Sequence, residues 1–236
     1  MNFLLHRHLA EAAHGSALAG FGAMLPDLWR MADRRVRTAW PARDAWDALG
    51  QGEDDGGAAR EVMRGIDHHL EVDLWFHEHE VFTAGERATA AALRGAGTGA
   101  KKLVLFAHPL WEMCLDGALV RRLGWEAVRA AVSEGFVAGA GAARAAVRAH
   151  HFARAEDGGA YVGEFEARMR WMGDELSKGP WIEGYGRADG LVRGLAGMRK
   201  RFGMAAFTED ERGRLAEAVG SLEARAEGAL DEILAR

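Results

Sequence analysis

The stretch G65-I-D-H-H-L-E-V-D-L-W-F-H-E-H-E-V-F82 decides how this chain is read. Its apolar residues do not alternate as in a strand, and it contains neither proline nor an internal glycine. It therefore predicts helix. On a helix His69, Asp73 and His77 fall at successive four-residue steps, so they share one face about a turn apart. A divalent ion needs donors converging to about 2.0–2.2 Å from one point, and imidazole and carboxylate one turn apart can supply two of them. Asp67 and His79 point elsewhere on such a helix and suit supporting roles around the ligands.

A second piece, F106-A-H-P-L-W-E-M-C-L-D-G-A-L119, repeats the four-residue step with His108, Glu112 and Asp116. Its other positions are almost all apolar. Ionisable groups on so apolar a helix are costly to bury alone and are normally paired, hydrogen-bonded or metal-bound. Two helices with this pattern suggest an inward-facing site of the kind found in bundle cores. A third piece supplies His6 and His8, which cannot share a helix face, and Asp27, which follows Pro26. Eight of the ten histidines precede residue 110, which places the expected site in residues 1–120. A buried His–acid network without metal is the alternative reading of the same residues. His14, His150 and His151 read as ordinary packed histidines.

The chain has 236 residues, 49% hydrophobic, with a formal charge of −5. This suits one sizeable core and gives no basic surface for nucleic acid. The single cysteine, Cys114, excludes an internal disulfide framework and suits a reducing compartment. The N-terminus lacks a signal-peptide pattern because His6, Arg7 and His8 interrupt it. No stretch is expected to reach the roughly 18 apolar residues of a membrane span. A cytoplasmic protein with no membrane partner is the expectation.

Few β-branched residues and only four prolines favour helix over strand. Helices are expected at 2–13, 16–34, 58–82, 84–94, 100–123, 125–154, 161–176, 188–201 and 209–235. Loops are expected at 36–57, with a turn near 42–49 and a mobile acidic portion at 50–57 that is a candidate lid, and at 155–159 and 178–186. Pro26 and Pro109 should bend or restart their helices. Gly135, Gly139 and Gly141 should let two helices approach closely. Thr208 and Glu211 form a capping-box pattern. The expected fold is all-α, a single-domain HD-like bundle of about eight helices over residues 1–236, with 125–236 completing it.

These motifs resemble those of the acyl carrier protein phosphodiesterases. M-N-F-L-L-H-R-H-L-A at residues 1–10 is similar to that family's opening M-N-[FY]-L-x-H-x-H-L-A. G-A-M-L-P-D-L carries Asp27 where the family has its G-[ND]-x-x-x-D-[FL] segment. The 65–82 stretch aligns without a gap to G-I-x-x-H-R-x-I-D-x-[FT]-T-D-x-H-P, retaining Gly65, Ile66, His69, Asp73 and His79. Residues 106–119 are similar to a later family helix with His108, Glu112 and Asp116. The likeness covers about 120 residues, and beyond them only helical texture and the basic run 198–202 match.

The resemblance implies an HD-like metal-dependent phosphohydrolase, with a phosphoester substrate and acyl carrier protein as possible partner. Its ligands would come from His6, His8, Asp27, His69, Asp73, His77 and His108. Glu112 or Asp116 would act as general base or orient a ligating imidazole, and Arg199 or Arg201 would bind a phosphate. Among the departures from the pattern, Leu70 replaces an arginine, Phe76-His77 a threonine–acid pair, Glu80 a proline, and Pro26 a glycine. Imidazole for carboxylate at 77 makes the site richer in nitrogen, which widens the expected metal from Mn2+ toward Zn2+ or Fe2+. An iron-dependent oxygenase on the same scaffold, and a non-catalytic helical binding protein, are the competing functional classes.

Overall fold

The computed structural model describes residues 3–33, 35, 36, 38, 56–98, 102–148 and 158–235. Among them every regular element is helical. The α-helices are α1 (Phe3–His14), α2 (Ala17–Ala32), α3 (Gly56–Phe76), α4 (Glu80–Gly95), α5 (Ala107–Leu123), α6 (Trp125–Val147), α7 (Gly158–Lys178), α8 (Pro180–Tyr185), α9 (Ala188–Arg201), α10 (Glu209–Gly220) and α11 (Glu223–Leu234). A short 3-10 turn, Leu103–Phe106, precedes α5. The all-α expectation holds, with eleven described helices where about eight were expected. Most of the expected 36–57 loop, including its turn at 42–49 and acidic residues 50–55, lies outside the described residues, as do His150 and His151.

The differences from the expected boundaries have local causes. Pro26 lies inside α2 without ending it. An interior proline costs about 3 kcal/mol, but Met24, Leu25, Leu28 and Trp29 around it are fully buried, each contributing about 1.5–3 kcal/mol. Pro109 sits in the first turn of α5, where a missing N–H costs nothing, so no kink is needed. The expected helix over 58–82 ends at Phe76, and α4 starts afresh at Glu80. His79 is the cause: its Nδ1 accepts from the Val81 N–H at 3.3 Å, and it caps α4. Residues 180–185 form a helical turn rather than loop, entered through Gly179 at φ +102° and Pro180 at the first helical position. The last helix divides at Ser221, whose Oγ donates to the Ala218 carbonyl at 2.7 Å. The Thr208–Glu211 capping box forms as expected.

The chain divides into two compact units, each drawing on both halves of the sequence. The first comprises Phe3–Leu74 and Arg129–Lys178. Here α2 and α3 meet backbone to backbone. A Cβ on Gly22 would overlap the Val62 carbonyl, and a Cβ on Gly65 would overlap the Ala19 carbonyl. The glycines of α6 also act through close approach: the Phe21 ring lies over Gly135 and Gly139 and meets Phe136 edge-on at 5.1 Å.

The second unit comprises Trp75–Val128 and Gly179–Arg236. It is centred on α5. Trp111, fully buried, fills the space left by Gly85 of α4. Gly117 admits the Tyr185 carbonyl, and Met113 lies over Gly194 of α9. Arg121 and Arg122 tie α5 to α11 through Glu227 at 2.8 Å and Asp231 at 2.7 Å. Contrary to the sequence expectation, Leu103–Leu123 has the length and mean hydropathy, 1.4, of a membrane span, and most of it is buried inside the protein. Leu105 is the largest exception, exposed at 71%.

Gly65 separates two opposing effects of adding a methyl group. Alanine is better than glycine by about 1 kcal/mol in a helix interior, whereas overpacking costs about 1–3 kcal/mol. At Gly65 the obstacle is backbone, which cannot rotate away. Gly65→Ala is therefore expected to destabilise the protein in urea titrations. Gly228→Ala in α11, where a Cβ meets open space, is expected to stabilise it by up to about 1 kcal/mol.

Candidate metal centres

The close α2–α3 approach sets the first centre. It brings His69 of α3 against the Ala23 carbonyl of α2, to which its Nδ1–H donates at 2.8 Å. In the neutral ring that bond places the proton on Nδ1 and the lone pair on Nε2, as in metal-ligating histidines. Nε2 faces Asp73 Oδ2 at 3.3 Å, and the other oxygen, Oδ1, faces His6 Nε2 at 3.2 Å. The His6 and His69 rings stack with centroids 3.8 Å apart. One donor atom from each of His6, Asp27 and His69 lies within 4.8 Å of the others. Thus His6, Asp27, His69 and Asp73, which lie on α1, α2 and α3, come together inside the first unit.

The electrostatics of this group are uneven. His6 is wholly buried, and neither ring nitrogen makes a hydrogen bond with acceptable geometry. Burial, reinforced by the neighbouring His69, lowers its pKa to about 4. Burial also opposes protonation of His69, but the Asp73 hydrogen bond and the charges of Asp27 and Asp73 leave it above the usual histidine value. Burial pushes Asp73 up, and its close contacts with the His6 and His69 imidazoles overcome this, holding it well below the usual carboxylate range. The Asp73 side chain is 35% exposed, so the group is open to solvent on that side.

The second centre lies within the second unit. His77 Nε2 stands 3.3 Å from Glu112 Oε1, and His108 Nε2 stands 3.4 Å from the same oxygen. Their donor atoms also fall within 4.8 Å of one another. His108 Nδ1 faces Glu86 Oε2 at 3.7 Å. The fully buried Phe82 packs its ring against both imidazoles, at 4.8 Å from His77 and 4.9 Å from His108. Contact with Glu112 raises His108. Burial pushes Glu112 up, but nearby positive charge and the two imidazoles hold it well below the ordinary carboxylate value.

The site predicted as one cluster is thus two groups, one in each unit. His77 leaves the His69–Asp73 register because it falls in the turn that ends α3. His8 is half-buried on α1 and belongs to neither group. Asp116 is fully buried one turn beyond Glu112 and is likewise in neither. Asp67 is half-buried on α3, and His14 packs edge-on against His68 at 5.2 Å.

Arg201 is exposed, whereas Arg199 is buried with its guanidinium 4.1 Å above the Phe207 ring. Both lie in the second unit, so neither shares a unit with His69. Sequence reasoning missed the Ala23 carbonyl, Glu86 and Phe82. It also missed a cavity of about 400 Å3 in the first unit, lined by Phe21, Trp29, Phe136, Phe165, Met169 and Arg170 among others. No spacing rule flags a backbone carbonyl, or a lone acid on another helix.

No family model matches the chain, and comparison with curated proteins and with solved structures gives no significant match.

The depressed pKa of His6 has a readable sign. Between about pH 4 and 6.5 the unfolded chain binds a proton at His6 that the folded chain refuses. Its contribution to stability therefore falls as pH drops through that window. In chelated protein, NMR titration of the imidazole resonances is expected to place the His6 midpoint near 4.

Proposed function

We propose that this protein is a metal-dependent hydrolase of phosphoric esters whose ion is held by His6, Asp27 and His69, with Asp73 beside them. The observation that carries the reading is His6: a fully buried imidazole that makes no hydrogen bond at either nitrogen, stacked on a second imidazole whose Nε2 faces the same carboxylate. Buried polar atoms are normally satisfied. The histidine–Asp73 separations of 3.2 and 3.3 Å are long for a charge-assisted hydrogen bond, which runs to about 2.7–2.9 Å. The donor atoms of His6, Asp27 and His69, all within 4.8 Å of one another, suit a shared cation.

A divalent ion bound there would acidify a coordinated water and polarise a phosphoryl oxygen. The chain's own residues have separate tasks. The Ala23 carbonyl holds the His69 ring in its ligating tautomer. Burial keeps His6 neutral and available as a donor. Asp27 supplies negative charge that favours a cation. Asp73, ionised and partly open to solvent, is the group suited to accept a proton from water at the mouth of the site. The phosphodiester class rests on the sequence resemblance to acyl carrier protein phosphodiesterases, which makes acyl carrier protein the partner to test after simple esters.

Metal-loaded protein is expected to hydrolyse bis-p-nitrophenyl phosphate, and chelation should abolish this. Asp73→Asn should lower kcat about 100-fold or more, and His69→Ala should remove both activity and the bound ion. Full activity in the chelated protein, or in His69→Ala, would defeat the assignment. A second reading has one observation in its favour: two histidines and one carboxylate is also the donor set of non-haem iron oxygenases. Stoichiometric iron after anaerobic purification, with oxygen consumption and no ester cleavage, would select it.

A further inference from the structure

We infer that His77, His108 and Glu112 form a second, separate divalent-cation site, selective for zinc-class ions and carrying an open coordination position. The inference does not depend on the hydrolase assignment, since it uses none of the residues of the first group.

The distances suit donors arranged around an ion. Two donors each about 2.0–2.1 Å from a four-coordinate ion stand about 3.3–3.4 Å apart at the tetrahedral angle. Both imidazole Nε2 atoms stand at 3.3 and 3.4 Å from Glu112 Oε1. The His77–Glu112 contact is also within hydrogen-bond reach, though longer than the about 2.7–2.9 Å of a charge-assisted bond.

The surroundings fit as well. His108 presents Nδ1 to Glu86 Oε2 at 3.7 Å while Nε2 faces the centre. At that distance Glu86 makes no hydrogen bond to the ring, but its negative charge favours positive charge on the His108 side of the group. Phe82 packs against both rings and limits their rotation. Glu112 is buried and offers a carboxylate oxygen to both rings.

Two nitrogens and one carboxylate oxygen are the ligand set of zinc sites that keep a fourth position for an outside ligand. The His77 and His108 side chains are 33% and 41% exposed, so that fourth position faces solvent. Mg2+ and Mn2+ prefer more oxygen than this group offers. An exchangeable ligand there would be water, or a carboxylate or phosphate oxygen from a small anion.

The test is calorimetric titration of chelated full-length protein with ZnCl2, and separately with MnCl2. Wild type is expected to take up one zinc at each group. His77→Gln and His108→Gln should each weaken one of these binding events about tenfold or more and leave the other intact. His69→Ala should show the converse. Glu86→Gln, which touches no ion, should weaken the same event as His108→Gln but by less. Mn2+ should not compete at the second group.

Both histidines are part-exposed, so their variants should fold, and an unchanged urea midpoint without metal checks this. Zinc titrations of His77→Gln and His108→Gln that match wild type would overturn the inference. So would a single zinc event that His69→Ala alone removes, which would leave the first centre standing. A single event removed only by His77→Gln and His108→Gln would instead support this site and overturn the first.

Discussion

The contact on which the first centre depends is between backbones. Gly22 and Gly65 let α2 and α3 approach until carbonyls of each helix occupy the space where the other's Cβ would be. One turn along α3 from Gly65 stands His69, and one residue along α2 from Gly22 stands Ala23, whose carbonyl takes the His69 proton. The two glycines therefore do more than pack. They place a backbone acceptor within hydrogen-bond reach of an imidazole and so decide which ring nitrogen is left bare. Holding the helices further apart would remove that bond and the orientation it imposes.

Burial then divides the labour among similar residues. His6 and His69 carry the same side chain and stack on each other, yet they are pushed in opposite directions: His6 down by loss of solvent, His69 up by its carboxylate neighbours. In the second unit Glu112 is an ionised carboxylate inside an apolar helix, made tolerable by the two imidazoles that face one of its oxygens. In each unit one carboxylate is faced by a pair of histidines. The remaining positions of α5 are left to packing, with Trp111 set into the notch at Gly85.

Much of this was legible in the sequence. The four-residue steps of His69–Asp73 and His108–Glu112 survive in the structure as facing pairs, because an α-helix fixes the relation between such positions whatever surrounds it. The third step, to His77, does not survive. His79 serves better as a cap for α4 than as a residue inside a longer helix, and the chain turns just where the pattern would have continued. Arg199 is the opposite kind of failure. In a run of basic residues at a helix end it reads as surface, but the fold covers it with Phe207. Composition gives the average character of such a run and not the fate of one member.

Sequence alone determined the helical class and the four-residue pairing of histidine with acid. Those follow from local geometry and from the cost of burying charge, which act within a few residues of one another. Only the tertiary structure decided that the histidines and acids form two groups and not one, which histidine lost all its hydrogen bonds, and which carbonyl and carboxylate stand behind the rings. Those outcomes depend on where separate helices cross, and the crossing is set by glycines and caps whose partners are remote in the chain.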